Sequence, residues 1–192
     1  ISSQQALQMI TQARKEGLPI TADTAIHHLY LTEMDIWQFN PNSHVIPPLR
    51  TERDRTGLIE GVCSGAIQAL CSDHQPHDDD AKAAPFEETE PGISGLETLL
   101  PLTLRLAKEQ HLPLIDALAT VTCNPASILG LKSGTLSPGA PANITLFNPD
   151  TWWTVRADQL LSAGKNSPFL NWELQGRVTH TLLNGAIVYE AP

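Results

Sequence analysis

The chain has 192 residues, 41% of them apolar and 17% charged, with 12 Lys+Arg against 21 Asp+Glu and a formal charge of −9. Ordinary apolar content excludes disorder, and the acidic balance excludes a basic nucleic-acid-coating surface. No apolar run reaches the roughly 20 residues of a membrane span, so a soluble chain with one sizeable core is expected.

In chain order, residues 3–16 predict an amphipathic helix with Ala6, Ile10 and Ala13 on one face, stopped by Gly17. Leu18 to Ala22 reads as a short buried strand, followed by Asp23–Leu31 with the His27-His28 pair. Pro41, Pro47 and Pro48 forbid regular structure over 32–50. Thr51 is a capping residue for a helix carrying Leu58, Ile59 and Val62 up to Gly65. Ala66–Cys71 is a nearly continuous apolar strand of the kind buried on both faces in parallel sheets.

An acidic loop follows over 72–92. Between Asp73 and Glu90 it holds seven acids and one lysine, a net charge of −6. Helices are predicted over 94–109 and 113–122 from their spaced leucines. Past Leu129 the texture turns to Gly, Pro and strands, at 144–147 and 178–182. Asn184-Gly185 marks a hairpin, because a type I′ turn needs two residues at positive φ. The expectation is an α/β unit over 1–130 and a β-rich module over 131–192.

The chemistry-bearing segment is Ser72-Asp73-His74-Gln75-Pro76-His77, directly after the apolar strand. Loops at the C-terminal ends of parallel barrel strands face the active site. A carboxylate there can bind a metal or move a proton, and His77 can aim a donor into the same cleft. On spacing alone the pair reads more readily as a solvated loop; the strand before it and the loop composition after it bring the cleft level with that reading. His27-His28 reads mainly as packed, His44 as a loop residue able to face a ligand, and His111 and His180 as structural or exposed. Asp78-Asp79-Asp80 lacks the alternating ligands and Gly of an EF-hand loop and reads as a solvated face. No phosphate-binding Gly-rich loop and no GxSxG elbow is present. Cys63, Cys71 and Cys123 show no CxxC spacing, which predicts buried thiols in a reducing cytoplasm and excludes a four-cysteine zinc site.

The succession HHLYLTE (27–33), PPLRTERDR (47–55), SDHQPH (72–77), PFEETEPGISGLETLLPL (85–102), NPA (124–126) and GTLSPGAPANITLF (134–147) resembles the C-terminal half of a class I dihydroorotase, a cyclic-amidase branch of the amidohydrolase superfamily. The resemblance implies the C-terminal part of a metal-dependent (β/α)8 barrel of the TIM type plus a small composite β-sandwich. It implies reversible cyclisation of N-carbamoyl-L-aspartate to L-dihydroorotate in pyrimidine biosynthesis, with one or two zinc ions. Asp73 matches the family's zinc-binding acid/base, and His77 matches its substrate-carboxylate contact. Pro91 and Gly92 match the backbone groups that touch the pyrimidine ring.

Departures from the family pattern bear on that implication. Ile46 stands where an Asn normally precedes Pro-Pro and hydrogen-bonds the substrate. Ala22-Asp23-Thr24-Ala25-Ile26 replaces the usual Glu and Pro, and Ala142-Asn143 replaces Ala-Asp. The family's other metal ligands lie upstream of a start at Ile1-Ser2-Ser3, so Asp73 is the one metal ligand carried over. Catalytic zinc needs about three protein ligands, so these residues alone are expected to be inactive and to bind zinc poorly. The implied partners are a small-molecule substrate, the N-terminal half of the same protein, and either aspartate transcarbamoylase or a second copy. Two alternatives stand beside the enzyme: a non-catalytic dihydroorotase-like scaffold that binds aspartate transcarbamoylase, and a hydantoinase-like cyclic amidase. An acidic flank would not attract an anionic substrate, so upstream basic residues are expected to bind it.

Overall fold

The computed structural model describes residues 1–191, an α/β chain that divides into two units. The first comprises Ile1–Leu99 and Val155–Asn171. Its first helix, α1 (Gln4–Lys15), starts where the Ser3 hydroxyl accepts the Ala6 N–H at 3.2 Å. Strand β1 (Asp23–Ala25) follows. Helix α2 (Glu52–Cys63) is capped by Thr51, as its sequence predicts, through the Asp54 N–H at 3.3 Å. The same Asp54 carboxylate accepts the Gln4 N–H at 3.0 Å, pinning the start of α1 to the start of α2.

Strand β2 (Ala69–Cys71) pairs in parallel with β1, in the register Asp23↔Ala69, Thr24↔Leu70, Ala25↔Cys71. Ala69 and Leu70 are buried, as expected for such a strand. The strand expected over Leu18–Ala22 lies instead at 23–25, and Leu18 and Ile20 are exposed. The reason is Arg14, whose guanidinium takes the Ile20 carbonyl (2.7 Å), the Ala66 carbonyl (2.6 Å) and the Gln68 side chain (2.7 Å). Those groups hold the entry to the sheet open until Ala22. The core of this unit includes Ile26, Leu29, Leu58, Ile67, Val155 and Phe169.

The second unit comprises Leu100–Thr154 and the chain from Trp172 onward. Helix α3 (Leu99–Glu109) starts five residues later than the leucine spacing suggests. Residues 93–95 are diverted: Ile93 bridges His74, and the Ser94 N–H donates to the Asn166 carbonyl at 2.8 Å. Short helices α4 (Leu114–Ala119) and α5 (Cys123–Ile128) lead to an antiparallel sheet. Its order is β3 (Ile144–Thr154), β4 (Glu173–Leu183), β5 (Ala186–Glu190). The Asn184-Gly185 hairpin forms as predicted, with φ of 51° and 84°. Asn143 supports it: its side-chain oxygen accepts the Asn184 N–H at 2.8 Å.

Among the described residues no helix is long and apolar enough to cross a membrane. The expectation of buried thiols fails at two positions. Cys63 ends α2 and Cys123 begins α5, and both are exposed.

Candidate active site

The parallel register puts the C-terminal ends of β1 and β2 side by side, so Ile26-His27-His28 and Ser72-Asp73 leave the sheet together. Asp73 has φ +45°, a left-handed conformation that Asp tolerates better than most residues but that still stores strain. Its Oδ1 accepts from the Gln75 amide at 3.2 Å. Cys71, two residues earlier, has its pKa pushed up to about 11 by burial and by the negative charges of Asp23 and Asp73. It therefore stays a protonated thiol at pH 7 and offers no thiolate nucleophile.

His27 and His28 are both buried, with rings 4.5 Å apart and tilted by 49°. Burial lowers the His27 pKa to about 4 and leaves both its ring nitrogens without a hydrogen-bond partner. His28 falls to about 3, through burial first and then the fields of His27 and the Ile1 α-amino group; Asp73 opposes the shift. Both are neutral imidazoles at pH 7, packed as their sequence context suggests.

His77 is set by two bonds. Its backbone N–H donates to the Asn166 side-chain oxygen at 2.7 Å, and its Nε2 meets the Pro91 carbonyl at 3.0 Å. A carbonyl only accepts, so Nε2 carries the proton and Nδ1 is the ring atom left to address a ligand. Pro91 and His77, both singled out from the sequence, are thus in direct contact.

Gly92 joins them through its backbone. Its N–H donates to the His44 carbonyl at 2.8 Å, and its C=O accepts from Lys82 Nζ (3.1 Å) and Asn166 Nδ2 (3.0 Å). Its φ is +140°, and a Cβ added there would fall 2.4 Å from Gln75 Cβ, so only glycine fits. Both polar groups of Gly92 are engaged within the protein, whereas the Pro91 carbonyl accepts one bond, from His77, and keeps a lone pair.

His44 also belongs to this neighbourhood. The Thr89 hydroxyl donates to the Phe86 carbonyl at 2.7 Å, so His44 Nδ1, 2.8 Å from that hydroxyl, must be the donor to it. The Phe86 ring lies 4.7 Å from the His44 ring. Ile46 is 67% exposed and presents no polar atom. Two residues that sequence reasoning passed over, Lys82 and Asn166, turn out to be buried hubs of the site. Their signal was weak: one lysine in an acidic loop, and one Asn between strands 89 residues from its partner.

Metal binding can be tested on the donor set. Among the described residues no three His, Cys, Asp or Glu side chains gather closely enough to hold a metal ion. Asp73 by itself does not make a zinc site, which needs about three protein ligands.

The amidohydrolase family profile matches residues 3–188, nearly the whole chain. The chain belongs to the amidohydrolase family. Among curated members of that family it is 43% identical over 190 residues to a dihydroorotase of Geobacter metallireducens, covering 99% of this chain and 45% of the relative. It is 46% identical over 189 residues to a dihydroorotase-like protein of Pseudomonas putida, covering 98% and 44%. The chain therefore spans less than half the length of the curated relatives it matches. The resemblance read from the motifs holds, since relatives named dihydroorotase align end to end with this chain.

Solved structures of the family agree on the fold. An L-hydantoinase (dihydropyrimidinase) from Arthrobacter aurescens superposes with a TM-score of 0.91 at 28% identity, over 99% of this chain and 44% of that one. A D-hydantoinase from Thermus sp. gives 0.91 at 21% identity, over 99% and 43%, a likeness of fold alone.

Proposed function

We infer that this chain is the C-terminal part of a dihydroorotase, an amidohydrolase that interconverts N-carbamoyl-L-aspartate and L-dihydroorotate in pyrimidine biosynthesis, in the cytoplasm. The observation that carries the reading is the position of Asp73 at the C-terminal end of β2, with His77, four residues on in the same loop, bonded to Pro91. Residues 1–130 are then the closing part of a (β/α)8 barrel, for which the parallel β1–β2 pair and its flanking helices are the support. Residues 131–192 are part of a composite β-sandwich, supported by the β3–β4–β5 sheet.

In this reading Asp73 takes a proton from the attacking water and returns it to the leaving amide nitrogen. His77 Nδ1 holds the substrate carboxylate, which requires the imidazolium form because Nε2 is already the donor to Pro91. The Pro91 carbonyl accepts from a ring N–H. Zinc is the cofactor the family reading assigns; Asp73 would be one of its ligands, and at least one further ligand would come from outside the described residues.

The substrate is open to a second reading on one observation. Exposed, apolar Ile46 cannot bond a polar substrate group, and an unpaired group costs about 1–3 kcal/mol. That favours a cyclic amide with an apolar substituent, such as a hydantoin. Steady-state assays of the full-length protein on L-dihydroorotate and on 5-substituted hydantoins, with and without added zinc, decide between the two. Turnover of neither, together with co-purification of aspartate transcarbamoylase, would sink both and leave the scaffold role.

A further inference from the structure

Asn166 makes three side-chain hydrogen bonds, all to the backbone of the site. Its oxygen accepts the His77 N–H at 2.7 Å, and its two amide hydrogens go to the Gln75 carbonyl and the Gly92 carbonyl, each at 3.0 Å. The reverse amide orientation would set N–H against N–H and oxygen against two carbonyls, so the network admits one orientation. The side chain is 5% exposed, and its own carbonyl takes the Ser94 N–H.

The segment carrying it lies flush on the loop. A Cβ at Gly164 would fall 2.5 Å from the His77 nitrogen and 2.7 Å from its oxygen, backbone atoms that cannot swing aside. From the other side, buried Lys82 directs its ammonium at three carbonyls, those of Pro41, Glu90 and Gly92. The Gly92 carbonyl thus receives one donor from each hub and has no lone pair left.

We propose that Asn166 and, secondarily, Lys82 are positioning residues that fix His77 and, by holding Gly92, the Pro91 carbonyl in the geometry that meets the substrate. The proposal rests on the reading of those groups as substrate contacts. Neither side chain reacts: Asn166 spends both amide hydrogens and one oxygen lone pair on the backbone, and Lys82 spends all three N–H bonds on the protein. What they supply is preorganisation, since a loop held by six side-chain hydrogen bonds loses little freedom when substrate arrives.

The test uses the full-length protein. Asn166→Asp keeps an acceptor for the His77 N–H but turns oxygens against the Gln75 and Gly92 carbonyls, and Asn166→Ala removes all three bonds. Both are expected to raise KM for the preferred cyclic amide about tenfold or more while kcat stays within about threefold. Hydrogen exchange at the His77 and Gly92 amides should quicken in both variants, with α1 and α2 unchanged. Unchanged KM, or exchange that quickens uniformly through the unit, overturns the proposal. If Asn166→Asp fails to fold, Lys82→Met is read the same way, with faster exchange expected at Gly92 and not at His77. If the wild-type protein turns over no cyclic amide, the functional reading has failed, and the exchange pattern alone decides whether the hubs position this loop.

Discussion

His77 and Pro91 are joined by a 3.0 Å bond from imidazole to carbonyl, across the acidic loop that separates them in sequence. The bond assigns the tautomer of His77 and leaves one nitrogen for a ligand. His77→Ala in the full-length protein should raise KM for dihydroorotate by about tenfold or more, through loss of a charge-assisted bond. His77→Asn is not expected to rescue it, because a shorter amide cannot reach Pro91 and a carboxylate at once. Wild-type KM in either variant would remove His77 from the substrate site.

Asp73 combines a functional carboxylate with an unfavourable backbone, at φ +45°. Asp73→Gly relieves the strain and Asp73→Asn does not. Glycine should therefore be the more stable of the two by up to about 1 kcal/mol in urea denaturation. Both should lose activity by about 10²-fold or more, as expected for a removed general base. A glycine variant less stable than the asparagine one would show that the side-chain bond to Gln75, which asparagine can keep, outweighs the backbone strain.

The buried His27 makes a pH prediction. Its folded pKa of about 4 lies below the ordinary 6.5, so between those values the unfolded chain binds more protons than the folded one. Stability is thus complete above about pH 6.5 and falls as pH drops toward 4. His28, lowered to about 3, acts in the same direction. Neither His27 ring nitrogen has a partner, so His27→Leu should cost little at pH 7 and flatten the fall between pH 6.5 and 4.5. Denaturation midpoints at the two pH values check this; an equally steep fall in the variant would refute it.

Close backbone approach predicts the glycines that cannot change. Gly164→Ala drives a methyl into the backbone of His77, and Gly92→Ala drives one into Gln75 at a φ that alanine avoids. Each should destabilise by roughly 1–3 kcal/mol. Gly139 has nothing within 4 Å of its added Cβ, so Gly139→Ala should cost no more than about 1 kcal/mol, from backbone strain alone. Thermal midpoints that rank the three variants otherwise would contradict the packing.

Zinc titrated into these 192 residues should bind more weakly than micromolar, since Asp73 stands without two further ligands. Calorimetry reads this directly, and a micromolar Kd would reveal a donor set that the fold does not display.

What could be read from the sequence was local. Thr51 three residues before Asp54 and Asn184-Gly185 between two strands each carry their signal within a few residues and form as expected, and the apolar run Ala66–Cys71 forms its strand over the last three residues, Ala69–Cys71. Family motifs reached further and put Asp73, His77, Pro91 and Gly92 in one neighbourhood. Three features escaped. Arg14 displaces a strand by holding carbonyls 6 and 52 residues away. Ile93 and Ser94 look helical but serve a bridge to His74 and a bond to Asn166. Lys82 and Asn166 look like ordinary polar residues, because their roles exist only once distant backbone carbonyls converge. Hydrogen bonds between side chains and remote backbone have no periodicity to betray them.

The burial of Lys82 gives the loop a chemical clock. Lys15, Lys108 and Lys132 are open to amine-directed reagents, whereas the Lys82 ammonium is enclosed by three carbonyls. A reagent can reach it only while the segment around Glu90 and Gly92 is open. The lag between labelling of the surface lysines and labelling of Lys82 therefore counts openings of the loop, without a substrate and without an assay for turnover.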